Sequence, residues 1–192
     1  MPKKYNSAMT RRPVVLLFAA CALTAFGADS PTSSVSKIFD GQLSRVESEV
    51  VPLAEAMPAD KYSFAPTHGE FKGVRTFGQQ VGHIAAVMYA VSSAALGEKN
   101  PSEPGEGENG PANLKTKDDY VAYLKAAIAY SHKAIQSLTS QNLTGMVKSA
   151  FGEGQVPRAS MATISVWHSF DHYGQMVVYA RMNGIIPPAS RQ

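Results

Sequence analysis

Apolar residues recur at steps of three and four in four separate stretches, and that period is the strongest constraint on what this chain can fold into. Val35, Phe39, Leu43, Val46, Val50, Leu53 and Met57 mark a helix from about Ser34 to Ala56, its last turn open to bending at Pro52. A second stripe, Gln79 or Gln80, His83, Val87, Ala90 or Val91 and Ala94, predicts a helix from about Thr76 to Leu96 that Gly97 ends. Tyr120, Leu124, Ile128, Ser131, Ile135 and Leu138 form a third, opened by Thr116 as cap with Asp118 and Asp119 in the first turn. Met161, Ile164, His168, His172, Gln175, Tyr179 and Met182 form the last, from about Arg158 to Asn183, stopped by Gly184 and the pair Pro187-Pro188. Four helices of about 20 residues, with no convincing alternating strand, imply an all-α four-helix bundle.

The connections carry the opposite signal. Residues 97–115 are rich in Pro, Gly, Glu and Asn, which cannot sustain a helix and bury little; they read as a solvated link long enough to cross a bundle end. Residues 140–157 are polar and hold Gly145, Gly152 and Gly154, with a short turn or extended piece expected around Met146 to Phe151.

Ahead of the first helix, Lys3, Lys4, Arg11 and Arg12 precede an apolar run from Pro13 to Phe26 and then small residues around Ala25 and Gly27. This order reads as a signal peptide over residues 1–27, followed by a linker at 28–33, a bundle domain at 34–188 and a tail at 189–192. The apolar run is about 14 residues, short of the roughly 20 that span a bilayer, so an exported, periplasmic or secreted protein without a transmembrane segment in its mature form is expected. Phe18-Ala19-Ala20-Cys21 keeps open lipid anchoring through Cys21.

Those four basic residues of the leader belong to a total of 18 Lys and Arg, so the rest of the chain nearly balances its 15 Asp and Glu. A near-neutral domain lacks the clustered positive charge that nucleic acid requires. The sole cysteine, Cys21, lies in the leader, which excludes disulfides and thiol chemistry from the mature domain.

The chemistry sits in the histidines. His168 and His172 are four apart on an apolar stripe, so their rings stack one turn apart where Leu would otherwise pack. Unpartnered burial of both costs several kcal/mol, and a shared metal removes that cost. His83, at a core position of the second helix, is the expected third ligand. Three neutral imidazoles suit Zn²⁺, Ni²⁺, Cu²⁺ or Fe²⁺ and leave coordination positions open. Gln79, one turn before His83, and Gln175, three after His172, are candidates for the layer behind the ligands, as is Asp171, although its place about 100° round the helix favours solvent. His68 and His132 read as surface histidines, and Trp167 as packing. No nucleophile presents itself, so no catalytic residue or organic cofactor site is assigned.

The segment His168-Ser169-Phe170-Asp171-His172-Tyr173-Gly174-Gln175, continuing through Val178-Tyr179-Ala180-Arg181-Met182-Asn183-Gly184 to Pro187-Pro188, resembles the last helix of the DinB-like (DinB/YfiT) superfamily. Arg75-Thr76-Phe77-Gly78-Gln79-Gln80-Val81-Gly82-His83-Ile84 is similar to that family's second helix, which carries its first metal histidine. The resemblance extends over about Val35 to Pro188. It implies a four-helix bundle with long crossover connections, a tri-histidine site for Zn²⁺ or Ni²⁺, and often a homodimer. Where many members have His-His-Arg-Gly-Gln, this chain has Asp171-His172-Tyr173-Gly174-Gln175, without the basic residue. The family's thiol transferases act on cytoplasmic thiols, which sits poorly with an export signal. The expected function is a metal-dependent hydrolase or transferase acting on a small molecule in the cell envelope. The competing expectation is a non-catalytic metal- or ligand-binding envelope protein.

Overall fold

A computed structural model describes Met1 and residues 34–191 of the chain. The expected signal peptide, with Cys21, and the linker fall outside the described residues. The chain divides into two units, Met1–Ser30 and Pro31–Gln192, and all that follows concerns the second.

Four helices build it: α1 (Val35–Ala56), α2 (Phe77–Leu96), α3 (Lys117–Gln136) and α4 (Arg158–Met182). Their starts follow from local hydrogen bonding. Ser34 accepts the Lys37 amide, while Thr76 with Gln79 and Thr116 with Asp119 form reciprocal capping boxes that satisfy amides at the open end of each helix. Gly97, at φ 73°, ends α2 in the left-handed conformation that side chains with a Cβ rarely adopt. The extended piece expected near Met146 is half of a short antiparallel hairpin, β1 (Met146–Lys148) with β2 (Gln155–Pro157), in the register Val147 opposite Val156.

α2 packs against α3 and α4, and α1 against the same two helices. Gly82 of α2 lies against Tyr120 of α3 and Ser92 against Ser131, so these two helices run parallel. Arg158 reaches Ala95 whereas Gln175 reaches Gln80, so α4 runs antiparallel to α2. A parallel α2–α3 pair forces the intervening chain, residues 97–116, to travel back along the bundle. That is the long crossover, and its path carries it over α2 beside His83.

Leu43, Val46, Leu53, Phe77, Ile84, Leu124, Ile135 and Met176 are fully buried in one core. Burial of each such side chain contributes roughly 1.5–3 kcal/mol. The polar Ser131 of the third stripe is satisfied by Ser92 at 2.9 Å.

The buried face of α4 departs from the expected stripe. Met161, His172 and Tyr179 are inside, but Met182 is 50% exposed, Gln175 is exposed and Met176 takes its place in the core. The face runs through Ser165 and Ser169, whose hydroxyls donate to the carbonyls of Ala162 and Ser165 at 2.7 Å each. Small serines that satisfy themselves on their own helix let α4 turn closer to its neighbours than the apolar pattern suggests. The same turn puts Trp167 outside, 59% exposed, against the packing role expected of it. Among the described residues no helix is long and apolar enough to cross a membrane.

Candidate metal centre

The two facing helices bring His83 of α2 together with His168 and His172 of α4. One nitrogen from each ring lies within 4.8 Å of the others, and the ring centroids are 4.5 to 5.0 Å apart. His83 and His172 are buried and His168 is half-buried.

Hydrogen bonds fix which nitrogens face inward. His83 Nδ1 lies 2.9 Å from the Glu108 carbonyl oxygen, which can only accept, so Nδ1 carries the proton and Nε2 is the bare nitrogen. His172 Nδ1–H donates to Gln80 Oε1 at 2.6 Å, and Gln80 Nε2 in turn donates to Gln175 Oε1 at 2.9 Å. His172 Nε2 then faces His168 Nε2 at 3.2 Å. Two nitrogens bound about 2.0–2.1 Å from one tetrahedral ion sit roughly 3.3 Å apart, so this spacing fits a shared cation.

Electrostatics favour the ligand form of the imidazoles. Burial, with like charge from His172 and His83 behind it, lowers the His168 pKa to about 4; burial and the neighbouring His83 and Arg75 charges lower that of His172 to about 4. Burial lowers His83 as well, partly opposed by its bond to Glu108. All three rings are therefore neutral near pH 7, as metal coordination requires.

The groups behind the three histidines differ from those expected. Gln79 Oε1 accepts the Thr76 amide at 2.8 Å, so this side chain caps the helix instead of backing the histidines. Its neighbour Gln80, 2% exposed, does that work. Gln175 stands one bond further out, behind Gln80. Asp171 is exposed, and its negative charge opposes the lowering of the His168 pKa only weakly. His132 pairs with Asp40 at 2.6 Å between α1 and α3, and exposed His68 bonds Thr67, so neither joins the cluster.

Sequence reasoning missed the Glu108 carbonyl and Arg75. A backbone oxygen carries no side-chain signature, but the approach it needs is written in glycine. A Cβ on Gly82 would meet the Asn109 carbonyl oxygen at 2.2 Å, so only glycine lets the crossover lie this close to α2. Arg75 pins the loop there: its Nε donates to Asn109 Oδ1 at 2.8 Å and an Nη to the Gly107 carbonyl at 2.9 Å.

Comparison with known proteins agrees with this architecture. The profile of the DinB superfamily matches residues 42–176. A DinB-like protein of Bacillus cereus superposes with a TM-score of 0.61 at 19% identity, over 78% of this chain and 93% of that one. The DinB-like protein YjoA of Bacillus subtilis does so with a TM-score of 0.60 at 18% identity, over 81% of this chain and 99% of that one. No curated protein matches the sequence. With the profile covering the larger part of the chain and the fold shared with those structures, this protein belongs to the DinB superfamily.

Proposed function

We propose that this protein binds one divalent cation, Zn²⁺ or Ni²⁺, through the Nε2 atoms of His83, His168 and His172, and uses it to hydrolyse or transfer a group on a small molecule. The observation that carries the reading is the convergence of three imidazoles from two helices, with His83 Nδ1 committed to the Glu108 carbonyl so that its Nε2 is free for the cluster. Buried imidazoles held by a carbonyl and a carboxamide on one side, and facing each other on the other, are the arrangement a metal ligand set needs. A cation held there would polarise a substrate carbonyl or phosphoryl group and make water acidic enough to attack near neutral pH. Three protein ligands leave at least one coordination position for that substrate or water.

The chain's own residues have narrower tasks. Gln80 holds His172 in the tautomer that presents Nε2, and the Glu108 carbonyl does the same for His83. The basic, apolar and small-residue order of residues 1–27 supports export to the envelope, where the mature bundle would act as a homodimer.

Metal analysis of the purified mature protein by mass spectrometry tests the first step. One equivalent of metal in the wild type and none in His172→Ala is expected, with a metal-dependent activity on a panel of hydrolase and transferase substrates lost in the same variant. A wild type with no affinity for Zn²⁺ or Ni²⁺ would end the proposal. Full metal occupancy without activity on any substrate would favour the non-catalytic binding protein instead.

A further inference from the structure

A polar cavity of about 380 Å³ lies behind the metal centre, lined by Gly73, Val74, Arg75, Gln79, Gln80, Gly107, Asn109 and Gln175. Its composition is one-sided. It has one cation and four carboxamides, and no carboxylate. Among the described residues no acid lies within ion-pair distance of Arg75.

The hydrogen bonds make the asymmetry sharper. Every carboxamide oxygen in the lining already accepts: Gln79 from the Thr76 amide, Asn109 from Arg75, Gln80 from His172 and Gln175 from Gln80. The first two assignments are forced, because a backbone N–H and a guanidinium can only donate. The nitrogens of Gln79, Asn109 and Gln175 donate to no group among the described residues, and Arg75 uses two of its five N–H groups. What the cavity offers a ligand is donors and positive charge. An acceptor-rich anion suits such a set, and a planar carboxylate matches the guanidinium fork.

We propose that this cavity binds the carboxylate of a small acidic molecule, with Arg75 as its anchor and the side-chain amides of Gln79, Asn109 and Gln175 as further donors. The orientation of Gln80 and Gln175 rests on the metal reading, since His172 must donate from Nδ1 to present Nε2; that of Arg75, Gln79 and Asn109 does not. An occupant would touch Gln80, which holds His172, and would lie against Gly107 and Asn109 on either side of Glu108, whose carbonyl holds His83.

The test is a titration of the mature protein with glutarate, its neutral analogue glutaramide, and inorganic phosphate, followed by calorimetry and by NMR shifts of the side-chain amides. Glutarate is expected to bind at least tenfold more tightly than glutaramide and to shift the Gln79, Asn109 and Gln175 amide signals. Arg75→Gln, which keeps donors toward the loop but removes the charge, is expected to erase the preference. Val74→Asp, which adds a carboxylate to the lining, is expected to do the same by occupying the Arg75 guanidinium itself. Equal binding of glutarate and glutaramide, or a preference that survives both variants, overturns the proposal, and tighter binding of phosphate than glutarate overturns the carboxylate assignment. The metal reading is scored separately by zinc content: glutarate binding that responds to Arg75→Gln in a protein without zinc affinity would sink that reading and leave the anion site standing.

Discussion

The carboxamide oxygen of Gln80 accepts the Nδ1–H of His172 at 2.6 Å, a bond between α2 and α4 that is closed off from solvent. It sets the tautomer of one histidine and ties together the helices that carry all three. Gln80→Ala should weaken zinc binding by roughly 10–100-fold, the usual effect of removing the partner of a ligand histidine. It should also cost about 1–3 kcal/mol in stability, since a buried N–H loses its acceptor. Gln79→Ala is the contrast: it breaks half of the capping box, costs about 0.3–1.5 kcal/mol, and leaves zinc affinity unchanged. Metal titration and chemical denaturation of both variants separate the two glutamines, and equal zinc affinities would contradict the assignment.

Gly82→Ala should reach the metal site without touching a ligand. The new Cβ lies 2.2 Å from the Asn109 carbonyl oxygen and 3.1 Å from the Tyr120 ring, so the crossover must lift. Overpacking of this kind costs about 1–3 kcal/mol. The Glu108 carbonyl moves with the loop, so His83 loses its partner and zinc affinity falls. A thermal melt and a zinc titration of the variant check both effects, and a destabilised protein with wild-type zinc affinity would show that the Glu108 contact is dispensable.

Acid should expose the lowered histidine pKa values. A histidine near 6.5 when unfolded and about 4 when folded gives the unfolded state more bound protons between those values. Its contribution to stability is thus fully present above about 6.5 and declines as pH falls toward 4. The metal-free protein should lose melting temperature over that window, whereas a His168→Gln/His172→Gln double variant should have a flatter profile. The metal should stay bound at pH 5.5, where ordinary histidines would already be protonated. Release centred near pH 6.5 in a stepped dialysis would contradict the lowered values.

His132→Ala should act on the scaffold alone. Its ring bridges Asp40 at 2.6 Å and Glu47 at 3.4 Å, joining α3 to α1 on the side of the bundle away from α2 and α4's histidine pair. Partly exposed pairs of this kind are worth at most about 1 kcal/mol and weaken with salt. A small loss of stability with unchanged zinc affinity is expected from denaturation and metal titration; a fall in zinc affinity would reveal coupling between the two sides.

Much of the fold was legible because helix formation is local. Thr76 and Thr116 announce their helices through bonds made within four residues, Gly97 ends α2 through its own backbone preference, and the three- and four-residue period points each helix inward. The same period put His83, His168 and His172 on inward faces, which is why their meeting could be anticipated. Its angular resolution is the limit. Met182 and Trp167 were misplaced, and Gln79 was favoured over Gln80, because adjacent residues differ by about 100° and the final rotation of a helix is set by what it packs against.

By itself, then, the sequence determined four helices, the caps that open three of them, the donor types available and the pairing of two histidines on one face, all of which depend on neighbours within a turn or two. Tertiary structure decided that α2 and α3 run parallel, that the crossover returns over Gly82, and that the oxygens of Glu108 and Gln80 back the histidines. Those contacts join residues 25 and 92 positions apart. Their geometry is fixed by packing between helices, which no local periodicity encodes.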